Sequence, residues 1–119
     1  MDSELRQLLT STVTVRRATA AGRYNDAQSF GVAHVFPAYT EQRQRRLYDG
    51  AGTVVENYDV IVIDVVDVAA SALASLTRDD FFWAANVDAN NLDKGKKPSS
   101  LMVYRDPETA TISHYEVIL

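Results

Sequence analysis

The run Val60 to Val66, "VIVIDVV", limits the architectures open to this chain more than any other stretch. Its valines and isoleucines occupy both parities, and alternate positions of a strand point to opposite faces of a sheet. A strand that is apolar on both sides belongs in the middle of a sheet. One face must meet the domain's own core, and the other needs a helix or a neighbouring subunit; with only one short helix in prospect, a neighbour is a natural cover. Just upstream, "RQRRLYDGAGTVVENYD" reads as two extended runs about Asp49-Gly50-Ala51-Gly52. Asp-Gly marks a turn because glycine takes positive φ without steric cost.

The flanking segments repeat the strand theme. "MDSELRQLLT" predicts a short N-terminal helix, capped by Ser3, with Leu5, Leu8 and Leu9 on one face. "STVTVRR" alternates as a half-buried strand, and "ATAAGRYNDAQSF" reads as a loop. "GVAHVFPAY" is extended, and Pro37, which has no backbone donor, predicts that the strand ends there or lies at an edge. "AASALASLTRDD" is short helical or irregular, "DDFFWAANV" a strand with bulky aromatics. "DANNLDKGKKPSS" has almost nothing to bury and predicts a mobile surface loop that orders against a partner. "LMVYR" and "TISHYEVI" form a hairpin about Asp106-Pro107. The sum is about six or seven short strands, one short N-terminal helix and long loops. The expected fold is mostly β, a small antiparallel β-barrel over residues 1–119 as a single domain.

Composition removes several function classes. No cysteine is present, so disulfides, thiolate nucleophiles and cysteine metal sites are all excluded, as suits a reducing cytoplasm. A net charge of −4 argues against a general nucleic-acid binder, though not against a local basic patch. No apolar run approaches the roughly 18 residues a membrane helix needs, and the acidic start "MDSELRQLL" does not read as a secretory signal.

Candidate chemistry is sparse. His34 and His114 are the neutral-pH acid/base candidates, and both lie in strands without a nucleophile or ligand motif around them. His114 shares a face with Ile112, Glu116 and Ile118, with Tyr115 and Val117 opposite, which reads as a structural strand histidine. Asp59 and Asp67 share strand parity while Asp64 does not, so the three do not converge as ligands and read instead as charges that limit edge aggregation. Asp79-Asp80 reads as a turn. Arg43, Arg45 and Arg46 form a basic cluster that suits either a solvated hairpin arm or contact with an acidic partner or phosphate. Lys94, Lys96 and Lys97 pose the same choice as a partner-contact loop. The aromatics Phe81, Phe82 and Trp83 read as core, with any exposed member a candidate interface anchor.

The order of elements resembles a known family. "TVTVRR", then "GVAHVFPAY", the "YDGAGTVVENYDVIVI" hairpin, "LTRDDFFW" and the closing "VYRDPETATISHYEVIL" are similar to the head-to-tail stopper proteins (head completion or head–tail joining connectors) of long-tailed bacteriophages. The resemblance covers residues 8 to 119, and its weight lies in the order of individually weak motifs. It implies a structural protein of the phage neck without enzymatic activity, cofactor or metal. Such a protein forms a ring of about six or twelve copies with heterologous contacts. The ring sits below the portal or adaptor ring and above the tail terminator or tail tube, in the virion at the head–tail interface after assembly in the host cytoplasm. It closes the channel over packaged double-stranded DNA and contacts no membrane. On this reading Arg43, Arg45, Arg46, Asp49, Gly50 and Gly52 belong to a channel-gating loop with a rigid root and a flexible tip. Neighbouring neck components, the tail terminator and the adaptor, are alternatives. So is an oligonucleotide-binding-type barrel, which needs exposed aromatics flanked by basic residues, whereas "FFW" follows two aspartates. A small hydrolase or isomerase using a histidine has no motif in its favour.

Overall fold

The structure, a computed structural model, describes residues 6–20, 29–105 and 112–119. The predicted N-terminal helix, the loop after Ala20 and the Asp106-Pro107 turn fall wholly or mostly outside these. The described chain runs β1 (Ser11–Ala20), β2 (Ser29–Phe30), β3 (His34–Asp49), β4 (Gly52–Asp64), α1 (Val65–Ala69), β5 (Asp80–Ala84), a 3-10 turn (Leu92–Lys94), β6 (Ser100–Arg105) and β7 (Ile112–Ile118).

These strands form one antiparallel sheet in the order β5-β1-β3-β4-β7-β6, and the two-residue β2 pairs the end of β1. The mostly-β expectation holds. The sheet is not closed as a barrel, because β5 and β6 form no ladder with each other; the segment before β6 meets β5 in the isolated bridge Phe82–Lys96, with N–H···O bonds of 2.9 and 3.0 Å.

β4 holds the middle, as its composition dictates. Residues directly opposite in antiparallel strands share a face, and the pairs Ala38↔Ile63, Ile63↔Tyr115, Ile61↔Val117, Val13↔Phe36 and Val13↔Ala84 are all buried. Val68 of α1, with Leu73 and Leu76 beyond it, covers this inner face. Each large side chain so buried contributes about 1.5–3 kcal/mol. On the outer face Val60, opposite Glu41 and Ile118, is also buried, while Val62 is only half-buried.

Three local expectations are refined or corrected. Of the two places expected for Pro37, a strand end or an edge, the edge holds: β3 runs on past it, it pairs Thr12 of β1, and the ladder to β4 starts one residue later at Ala38↔Ile63, so its β4 side is unpaired. β4 ends at Asp64, not Val66: the Asp64 carboxylate accepts a 3.0 Å bond from the Val66 amide and caps α1. Asp64 is therefore no solvated edge charge. It is fully buried and pairs with Arg6, which also reaches Asp67 at 3.3 Å.

The third concerns the loop from Asp88 to Ser100, which has something to bury after all. Trp83 points to the outer face, and the loop lies over it: the indole N–H donates to the Asn91 carbonyl at 2.9 Å, and the Arg16 guanidinium stacks 4.8 Å from the ring centre while donating to the Ala89 carbonyl. Phe30 meets both Trp83 and Phe81 edge-on. Few apolar side chains in the loop are needed, because its backbone supplies the cover.

Candidate functional site: the projecting arm

β3 and β4 pair one-to-one, without a bulge, from Ala38↔Ile63 to Asp49↔Gly52. Their outer neighbours stop far earlier. β1 reaches β3 only as far as Ala38, and β7 reaches β4 only as far back as Val60. From Gln42↔Asp59 onward the hairpin is a two-stranded ribbon: no third strand pairs with it among the described residues, although Leu119, just past β7, still donates to the Asp59 carbonyl at 3.0 Å. The eight residues Gln42 to Asp49 carry it ~26 Å at about 3.3 Å per residue. The radius of gyration, 15.9 Å against ~13.5 Å for a compact chain of this length, records the projection.

The turn at the tip is tight. Asp49 pairs Gly52 across Gly50-Ala51, and the positive φ, +134°, falls on Gly52, not on Gly50 as the Asp-Gly signal suggests. The expected flexible tip is thus a ladder carried through to a two-residue turn.

Strand parity divides the basic cluster. Arg43 and Arg45 lie on one face with Tyr58 and Glu56, while Arg46 lies on the other with Val55. Arg43 donates to Glu41 at 3.0 Å, and Arg45 donates to Glu56 through Nε at 2.9 Å and Nη2 at 2.8 Å. The hydrogen bond between Arg43 and Glu41 holds the Glu41 carboxyl below its ordinary range and the guanidinium above its own. Such exposed pairs are worth about 0.2–1 kcal/mol. Their main consequence is neutrality: two of the arginines face carboxylates of the same arm, so the cluster is not one phosphate-binding patch. At the root, Arg45, Glu56 and Tyr58 line a hollow of about 490 Å³ with Ser99, Ser100, Ile118 and Leu119.

The tip is apolar where a solvated hairpin would be polar. Leu47 and Val54 stand opposite each other on one face and are 44% and 50% exposed; Val55 and Tyr48, on the other face, are 53% and 79% exposed. An isolated two-stranded hairpin is at best marginally stable in water, so a ribbon carrying these groups is built to meet another surface.

The structure places the remaining candidates elsewhere. Lys96 supplies backbone to the Phe82 bridge, and Lys97 lies 5.5 Å over the Phe81 ring and 4.0 Å from Asp79. Lys94 ends the 3-10 turn. No contact among the described residues joins these lysines to the arginines. Phe82 and Trp83 are buried and Phe81 half-buried, so "FFW" offers no open stacking platform. His114 stacks on Tyr104 at 4.9 Å and 9°, with Nδ1 3.2 Å from the Ser113 hydroxyl; His34 lies parallel to Phe36 at 6.2 Å. Among the described residues no three His, Asp or Glu side chains are grouped to hold a metal ion.

Sequence reasoning missed one more constellation. Arg17 forks onto the buried Asp80, Nε to Oδ1 at 2.9 Å and Nη2 to Oδ2 at 3.2 Å, and also reaches the Leu73 and Ser75 carbonyls. Asp80 in turn accepts from the Thr77 amide at 2.9 Å. This pair pins the segment between α1 and β5 to β1. An arginine at the end of an alternating strand and an aspartate opening another were the available signals.

Comparison of the chain with protein-family models, with curated proteins and with solved structures gives no match.

Proposed function

We propose that this chain is a structural component of the neck of a long-tailed bacteriophage, a head-to-tail stopper that assembles as a ring between portal or adaptor and tail. The observation that carries the reading is the arm: a small single-sheet protein commits a third strand to neither side of a long hairpin and ends it in exposed Leu47, Tyr48, Val54 and Val55. An assembly module uses such an element to reach another chain. The order of motifs along the sequence points to the same class, and the neutralised face of the arm suits a protein that lets DNA slide past without holding it. The finer reading of the fold belongs here too: the Phe82–Lys96 bridge brings the segment before β6 against β5, which is how the open sheet would close into a barrel on assembly.

The test is genetic and biochemical. Heads made without this chain are expected to package DNA, lose it before tails join, and regain both DNA retention and tail joining when the purified protein is added. Heads that keep their DNA and lack only a joined tail would place the chain with the tail terminators instead. Normal infectious particles without it would end the neck reading.

A further inference from the structure

Among the described residues, Ala74 is the one non-glycine with a positive φ, +61°. A Cβ makes that left-handed conformation costly. Ala74 is itself exposed, but it lies between Leu73 and Leu76, which the chain turns onto the core over the inner face of the sheet. From Ser71 to Leu76 the chain pairs with no strand, and its backbone bonds close on itself and on α1: Ser71 donates to the Val68 carbonyl at 3.1 Å, Ala74 to Ser71 at 3.2 Å and Ser75 to Leu73 at 2.7 Å. Among the described residues, Arg17 is the side chain that bonds it from outside, through the Leu73 and Ser75 carbonyls at 3.4 and 2.8 Å. Both ends of the segment are fixed. α1 holds one, and the Thr77 amide, bonded to the Asp80 carboxylate at 2.9 Å, holds the other. Hollows of about 390 and 580 Å³ run along it, the first reaching Ala70 and Ser71, the second Ala72 and Leu73, so that side is not packed solid.

We propose that Ser71 to Leu76 is a hinged lid over the inner face of the sheet, latched by Arg17 and able to open as a unit while the strands stay paired. The latch is anchored independently of the lid: Arg17 pairs Asp80 in the β1–β5 ladder and forks onto its carboxylate, so losing the two carbonyl contacts leaves the guanidinium in place. The hinges are Ala70-Ser71 and Thr77, next to the fixed ends. Backbone strain at Ala74 is relieved when the lid lifts, which sets the closed form against the open one. Opening takes Leu73 and Leu76 off the core and bares the apolar inner face behind them. A ligand that binds that face shifts the chain toward the open form by its preference for it. This lid belongs to the fold and does not depend on the phage-neck reading.

The chain has no cysteine, so a single introduced thiol reports on a single site. Leu73→Cys and Leu76→Cys put one under the lid, and Val117→Cys puts one in the middle of the sheet. Each replaces a buried aliphatic side chain by a smaller thiol, so the three compare like for like. With a maleimide in excess, the two lid thiols are expected to react at similar rates, at least ~100-fold faster than the Val117→Cys thiol, whose rate follows the global unfolding measured in urea. Ala74→Gly, added to either lid variant, should slow labelling about fivefold, because glycine takes the positive φ without strain. Arg17→Lys keeps a charge for Asp80 but not both carbonyl bonds, and should speed labelling about tenfold. Lid thiols that react no faster than the thiol at position 117 would mean that the segment leaves only with the whole fold, and would overturn the proposal. So would a lid rate that Ala74→Gly leaves unchanged.

Discussion

Asp80 has no solvent exposure, and its oxygens are met by the Arg17 fork and the Thr77 amide. Removing the guanidinium strands a buried charge; Arg17→Ala is therefore expected to cost about 3–5 kcal/mol. Asp80→Asn keeps the shape but weakens the bonds, a loss of about 1–3 kcal/mol. Urea unfolding of both variants checks the order, and an Arg17→Ala protein within about 1 kcal/mol of the parent would show the pair to be incidental. His114 gives a pH signature. Partial burial lowers its pKa from 6.5, opposed by the nearby carboxylates of Glu116 and Asp64. A histidine harder to protonate when folded means that the unfolded chain binds more protons, so stability is complete above pH 6.5 and declines as the pH falls toward the lowered value. His114→Gln should flatten that decline, and a proton NMR titration placing His114 at or above 6.5 would contradict it. The facing of His114 was legible from strand parity, with Tyr115 and Val117 on the opposite, buried face. The roles of Asp64 and Asp67 were not, because parity was carried through Val65 as though the strand continued, whereas the cap at Asp64 turns the chain into a helix.

At the level of elements, the loop over Trp83 shows how a polar segment becomes ordered. A Cβ added at Gly95 would sit 2.3 Å from Trp83 Cζ2, although the backbone there, φ −67°, accepts any residue. Gly95→Ala is thus a test of packing alone. It should destabilise the protein by about 1–3 kcal/mol, the usual range for overpacking. It should also shift the emission of Trp83, the chain's single tryptophan, toward the red as the loop lifts. Unchanged emission would mean that the loop does not seal the indole. Sequence patterning identified the strand "DDFFW" and the turn at Asp49 to Gly52 because both are written in local chemistry: aromatic strand formers in one, glycine in the other. It did not identify what the loop covers, because the cover is backbone carbonyls and a glycine, which carry no hydrophobic signal. Pro37 was legible in part for a related reason: its lack of a donor pointed to an edge, but whether the strand ends there depends on where the ladder begins, which is a property of the neighbouring strand.

For the whole molecule, the core and the arm are separable. Every residue of the hydrophobic core lies outside Tyr39 to Asp59, so the hairpin beyond Gln42↔Asp59 adds nothing to the interior that β1, the root of β3 and β4, β5, β7 and α1 share. The unbroken one-to-one register lets the arm be cut without shifting a side chain from one face to the other. Replacing Arg43 to Tyr58 with Asn-Gly joins Gln42 to Asp59 by a turn whose twist matches the ladder. That protein is expected to fold cooperatively, with a melting temperature within a few degrees of the parent, since what is lost is a ladder outside the core, the Arg45–Tyr58 ring contact and exposed ion pairs of about 0.2–1 kcal/mol each. It is also expected to lose self-association and any binding to an adaptor ring, since the apolar tip has gone. Calorimetry and sedimentation, run on the same preparation, separate the two effects. If the shortened chain fails to fold, the ribbon is part of the folding unit and its exposure hides a structural debt. If it folds and still assembles as the parent does, the contact between copies lies elsewhere, and the open edges of β5 and β6 become the surfaces through which the sheet is completed.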